Sequence, residues 1–195
     1  MRKTAAGIAA LGAAAAMAPA AHADVREVYA GVMAHDICII DCKNANKEGS
    51  PNVEFQASFD SPHVLHWVGS PEPYVMASVS TTGDTSFGGF GLEWRWRVSP
   101  HWSVQPGLGY VVHNGAVNNP YPQGSPESVA YSDEHILFGS NDLFRTSLGV
   151  TYTPSSGPWE VQASYEHLSH GQILGHGKNQ STNELGLRIG YRFGE

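Results

Sequence analysis

The chain is poor in basic charge. Its 11 lysines and arginines stand against 18 aspartates and glutamates. A nucleic-acid binder carries a clustered basic footprint, so this balance excludes nucleic acid as a partner. Cysteine is scarce as well, with two residues, Cys38 and Cys42. A lone C-x3-C pair with no nearby partner is no specific metal motif. The two could form a disulfide across a turn in 36–43, but not along an extended strand, where they would lie too far apart. Beyond the N-terminus no apolar run approaches the ~20 residues of a membrane helix. A helical repeat of any length is also missing there, which excludes a helical bundle.

The one apolar run lies at the start. Arg2 and Lys3 precede small apolar residues over 5–18, and Ala21-His22-Ala23 fits a small-x-small cleavage site. This is the pattern of a secretory signal peptide. Residues 1–23 are therefore expected to be removed, leaving one domain over 24–195. Without Arg2 and Lys3, nine basic residues remain against the 18 acidic ones. An exported chain is free to carry disulfides.

Alternation with period two recurs throughout the remainder. Val53, Phe55, Ala57 and Phe59 alternate with polar residues, as do Phe90, Leu92, Trp94, Trp96 and Val98. The same holds for Trp102–Val112, Phe144–Tyr152, Trp159–Ser169 and Leu185–Phe193. With Val25–His35 and 74–80 these make eight candidate strands, so the chain is read as all-β. The opposite faces hold charges and glycines, among them Glu93, Arg95, Arg145, Glu160 and Arg188. Such alternation fits a soluble barrel with an apolar interior, and equally an inverted one with lipid outside and a polar interior.

Three features favour the membrane. Aromatics cluster at strand ends (Trp94, Trp96, Trp102, Tyr152, Trp159, Tyr191, Phe193), as an interfacial girdle requires. The last strand closes its apolar face with Tyr191 and Phe193. Connections alternate between tight turns (99–101, 154–158) and long Gly/Asn/Pro/Ser-rich loops (36–50, 114–135, 170–182), matching short periplasmic turns and long external loops. The expected fold is an eight-stranded antiparallel transmembrane β-barrel. The 60–73 connection is longer than a periplasmic turn needs.

Chemistry appears at the end of the seventh strand. The apolar face of Trp159, Val161, Ala163 and Tyr165 finishes in His167 and Ser169. Residues i and i+2 of a strand lie roughly 6–7 Å apart on one face, close enough for an imidazole to reach a hydroxyl. Serine becomes a nucleophile when an adjacent base takes its proton, and a third polar group normally fixes the imidazole tautomer. The last strand offers two. Glu184 has the better chemistry, because an acid also stabilises imidazolium, but its parity points inward unless a bulge intervenes. Asn183 shares the outward face with Leu185 and Leu187.

The run Tyr165-Glu-His167-Leu-Ser169-His170-Gly171, a Gly/Asn-containing loop and then Asn183–Phe193 resembles the lipid A 3-O-deacylase (PagL) family of outer membranes. That family carries His-x-Ser-Asn on its penultimate strand. The resemblance is strong over 159–193 and weaker but compatible over 25–152. It implies Ser169 as nucleophile, His167 as base and an acid on the last strand, which selects Glu184, with Asn183 as the alternative. It implies hydrolysis of the ester-linked 3-hydroxyacyl chain at position 3 of lipid A, in the outer leaflet of the bacterial outer membrane, without metal or cofactor. The partners expected are lipid A of lipopolysaccharide and outer-membrane lipid, and a homodimer is left open. One departure is that His170 stands where the family usually has Asn, thought to help the oxyanion hole. His170 and Gly171 are the oxyanion candidates here.

Other readings compete. His167 and Ser169 could be interfacial polar residues in a non-catalytic structural or adhesive barrel. His167, His170 and His176 could bind a metal, since imidazole is a common ligand, but His167 and His170 have opposite parity. A periplasmic lipid carrier with an apolar interior would show the same alternation.

Overall fold

In a strand, residues of one parity share one face, and here every long strand sorts apolar from polar that way. The computed structural model describes residues 24–39, 46–175 and 177–194. Eight antiparallel strands close on themselves. They are β1 (Val25–Ala34), β2 (Pro51–Phe59), β3 (Glu72–Ser80), β4 (Phe87–Glu93, resumed at Trp96–Arg97), β5 (Trp102–His113), β6 (Asp142–Tyr152), β7 (Trp159–Ser169) and β8 (Thr182–Arg192). Both pieces of β4 pair with β5 in one register, Glu93 opposite Gly107 and Trp96 opposite Val104, so they form a single strand interrupted at 94–95. Each strand pairs with its sequence neighbour, and β1 pairs with β8 to close the wall.

The barrel is inverted relative to a soluble one. Val32, Phe55, Val75, Phe90, Leu108, Leu148, Leu187 and Ile189 are exposed on its outside, while Glu27, Glu54, Gln105, Arg145, Glu166 and Arg188 are buried inside. An apolar exterior over a hydrogen-bonded polar interior is the arrangement a lipid bilayer requires. Three arginines organise the interior. Arg95 binds Glu27 and Glu160. Arg145 binds Glu166 and stacks over Tyr74 at 5.0 Å. Arg188 binds Glu54 and stacks over Tyr29 at 4.9 Å. The inward glycines make room for those rings: a Cβ at Gly109 would lie 2.2 Å from the Tyr74 hydroxyl, and one at Gly190 would lie 2.6 Å from the Tyr29 ring. Buried charges are tolerated only with such pairing.

Aromatics ring one end of the barrel. Trp96, Trp102, Tyr152, Trp159 and Phe193 are exposed there, with Trp102–Tyr152 and Trp159–Tyr191 in contact at 5.1 and 5.0 Å. The 60–71 connection at this end holds a 3-10 helix, His63–Val68, whose Val68 carbonyl accepts from Trp94 Nε1 at 2.9 Å. This accounts for its length.

The other end carries the long loops, and they contain a helix that periodicity does not reveal. Helix α1 (Pro126–Glu134) starts at an N-cap, Ser125, whose hydroxyl accepts from Ser128 N, with Pro126 in its first turn. It buries no residue, so it leaves no apolar stripe to detect. Directly after it, Ile136, Leu137 and Phe138 are fully buried. Ile136 and Phe138 cluster with Tyr74, Met76, Phe87, Val111, Leu143 and Leu168. The loop thus places an apolar cap on that mouth of the barrel.

Glu48 ties the cap down. Its carboxylate accepts from Thr85 N at 2.9 Å and Ile136 N at 3.1 Å and faces His35 Nε2 at 3.4 Å. His35, just beyond β1, also meets Glu184 through Nδ1 at 2.5 Å. Burial pulls the His35 pKa down, but its hydrogen bonds to Glu184 and Glu48 outweigh that and raise it from 6.5 to about 9. Burial pushes Glu48 up, but hydrogen bonds from His35, Thr85 and Ile136 bring it from 4.5 to about 2. The His35 contribution to stability is complete below pH 6.5 and is lost as pH rises through about 9. The Glu48 contribution is complete above pH 4.5 and is lost as pH falls through about 2. Resistance to heat unfolding, read as the electrophoretic shift, is therefore expected to be greatest between pH 4.5 and 6.5, and His35→Gln should flatten the alkaline limb. An unchanged alkaline limb in that variant would remove His35 as its cause.

Cys38 is disulfide-bonded, and Cys42 lies outside the described residues, as do 1–23 and His176. Among the described residues no helix is long and apolar enough to cross a membrane.

Candidate active site

Strand β7 carries His167 and Ser169 to the capped end of the barrel and turns both outward. Its inward partners Glu166 and Leu168 are buried, while His167 and Ser169 are half-exposed. Leu168 anchors this strand end in the apolar cluster under the cap. Ser169 stands opposite Phe144, and His167 stands between Thr146 on β6 and Asn183 on β8. Among the described residues the Ser169 hydroxyl has no hydrogen-bond partner, so its rotation toward His167 costs no existing bond.

Asn183 lies beside the imidazole. Its Oδ1 is 2.8 Å from His167 Nδ1 and accepts from the Tyr165 hydroxyl at 2.8 Å. Its Nδ2 donates to the Ile37 carbonyl at 3.4 Å, and its own backbone carbonyl accepts from Ile37 N at 3.1 Å. A carbonyl oxygen only accepts, so the amide nitrogen must face Ile37 and the amide oxygen must face His167. Nδ1 then carries the proton, and Nε2 keeps the lone pair a base needs.

Glu184 faces the other way. It is fully buried inside the barrel, bonded to His35 Nδ1, to Asn52 Nδ2 at 2.8 Å and to the Ser78 hydroxyl at 3.3 Å. The β7–β8 register runs unbroken from Trp159–Tyr191 to Leu168–Thr182, without the bulge that would turn Glu184 outward. The sheet brings His167, Ser169 and Asn183 together and keeps Glu184 on its far side.

The oxyanion candidates also separate. The His170 ring is buried in the 170–181 loop. Its Nδ1 accepts from Gln172 N at 3.0 Å, so the ring proton sits on Nε2, which donates to the Lys178 carbonyl at 3.2 Å. The backbone N–H of His170 donates to Asn179 Oδ1 at 3.2 Å. Both donors of His170 are thus committed within the loop. Gly171, at φ 60°, approaches Phe144, whose ring would lie 3.4 Å from a Cβ there, and Phe144 is the cross-strand neighbour of Ser169.

Of the candidate metal ligands, His167 points outward to Asn183 and His170 into its loop, so these two do not converge, and His176 lies outside the described residues. Among the described residues the convergent acidic group is Glu54, Glu166 and Glu184 inside the barrel. Its members are bound to Arg188, Arg145 and His35.

The Asn183 contact was readable from parity. The Tyr165 and Ile37 contacts were not, since they depend on side-chain reach and on where the chain runs beyond β1.

A family model described as lipid A 3-O-deacylase (PagL) matches residues 88–192. Among solved structures, the chain is similar to one titled as the crystal structure of the outer membrane enzyme PagL. The two are 12% identical over 86% of this chain and 99% of that one, with a TM-score of 0.56. The outer membrane protein Ail of Yersinia pestis also matches, at 12% identity over 86% of this chain and 99% of that one, with a TM-score of 0.44. No curated protein matches the sequence.

Proposed function

The chain belongs to the lipid A 3-O-deacylase (PagL) family, and from that premise we propose that it is a serine esterase that removes the 3-hydroxyacyl chain ester-linked at position 3 of lipid A. The carrying observation is the outward-facing pair His167 and Ser169, with Asn183 Oδ1 at 2.8 Å holding the imidazole in the tautomer of a base.

In this reading His167 Nε2 takes the Ser169 proton as Oγ attacks the ester carbonyl. The alkoxide of the sugar leaves with the proton that His167 returns, and an acyl-serine remains. Water, activated by the same imidazole, then releases the fatty acid. Asn183 replaces the carboxylate expected from the resemblance: it orients the ring but supplies no charge to the imidazolium. Gly171, rather than His170, is the N–H assigned to the oxyanion, since both donors of His170 are committed to the loop. The reaction lies in the outer leaflet because the site opens sideways, toward lipid, at the long-loop end. Residues 1–23 serve as the export signal.

Purified protein in detergent, given lipid A, should release one 3-hydroxy fatty acid per molecule. Tandem mass spectrometry should place the vacancy at position 3, with amide-linked and secondary acyl chains retained. Loss of a secondary chain, or no loss, would contradict this reading.

A further inference from the structure

The far end of the barrel holds a second polar feature that the hydrolytic site does not use. A basin of about 520 Å³ opens at the short-turn mouth, lined by Arg26, Arg95, Arg97, His101, Ser103 and Arg192 among others, with no carboxylate among the described residues of its wall. Several of these cations are engaged from behind. Arg95 binds Glu27 and Glu160, Arg26 faces Asp60 and Glu72, and Arg192 faces Glu160 at 3.6 Å. Arg97 differs. It continues the inward parity of Glu93 and Arg95, yet among the described residues it has no ion-pair partner.

An independent observation comes from Ser103, which stands opposite Arg97 in the β4–β5 register. It is buried, lines the same basin, and among the described residues its hydroxyl has no hydrogen-bond partner. A buried donor without a partner is uncommon and calls for an explanation. An unpaired guanidinium and an unpaired hydroxyl side by side, in a basin walled by further cations, are what a tetrahedral oxyanion would satisfy. Arginine's planar fork suits phosphate oxygens in particular.

We infer that this basin binds a phosphate group, held by Arg97 and the Ser103 hydroxyl. The aromatic ring of Trp96, Trp102 and Trp159 surrounds the same mouth, so both a phospholipid headgroup and a free phosphate can reach it.

Two arms separate those sources. In a zwitterionic detergent, inorganic phosphate is titrated against the protein and its ³¹P line width is followed. In parallel, nanodiscs of phosphatidylcholine with and without phosphatidylglycerol are compared for headgroup ³¹P broadening. Arg97→Gln and Ser103→Ala are run in both arms; the first is at an exposed position, and the second removes a hydroxyl with no partner, so the barrel should persist. The expected result is broadening in at least one arm that weakens roughly tenfold or more in each variant, as loss of a charge-assisted hydrogen bond predicts. Broadening in the nanodisc arm alone assigns a lipid headgroup, and broadening with inorganic phosphate assigns a free anion. Lipid A deacylation should be unchanged in both variants. Absence of broadening in both arms, or broadening that Arg97→Gln leaves intact, overturns the inference.

Discussion

Ser169→Ala should abolish deacylation while leaving the barrel folded. The residue is half-exposed on the lipid side and among the described residues its hydroxyl has no partner, so its loss breaks no hydrogen bond there. Nucleophile and base act as a unit: in a well-studied serine protease, removing either costs about 10⁶-fold in rate. His167→Ala should therefore be nearly as severe, and the double variant hardly worse than either alone. The measurement is steady-state release of 3-hydroxy fatty acid from lipid A, with folding verified by the heat-dependent electrophoretic shift. If Ser169→Ala kept more than a few per cent of the wild-type rate, the nucleophile would have to be sought elsewhere.

The second large effect concerns the residue that orients the base. Asn183→Ala should lower the rate by about 10²–10⁴-fold, the range attached to a correctly positioned general base, because Nδ1 loses its acceptor and the ring its tautomer. Glu184→Gln should leave the chemistry largely intact. It lies across the sheet, so its loss weakens the contact with His35 and thus the cap. The informative contrast is between rate and stability: Asn183→Ala loses activity with modest loss of heat resistance, and Glu184→Gln does the reverse. If Glu184→Gln abolished activity in a barrel of unchanged heat resistance, the carboxylate would be acting on His167 through a rearrangement of β8.

This contrast also marks how far the sequence could be read. Strand alternation fixes parity, and parity alone turned His167, Ser169 and Asn183 outward and Glu184 inward, as the structure places them. The pull toward Glu184 came from chemistry and from the family resemblance, and it required a bulge that the unbroken β7–β8 register does not contain. The eight strands were legible because each is long enough for period two to repeat, even where β4 breaks at 94–95.

The loops were not legible in the same way. Helix α1 buries nothing and so has no apolar stripe, although Ser125-Pro126-Glu127 is a local start signal that could have revealed it. The Ile136-Leu137-Phe138 triplet stands out in a polar connection, but its role as a cap depends on Tyr74, Met76 and Leu168 being gathered beneath it by the barrel. The commitment of His170 to its loop rests on contacts with Gln172, Lys178 and Asn179, which no period encodes.

The most direct test of the central claim, an outward-facing serine that cleaves an acyl ester of lipid A in the membrane, is mass spectrometry of lipid A from cells expressing the wild-type chain or Ser169→Ala at matched outer-membrane levels. The wild type should yield a species lighter by one 3-hydroxyacyl chain, and the variant unmodified lipid A. Identical spectra from the two strains, whether both modified or both intact, would contradict it.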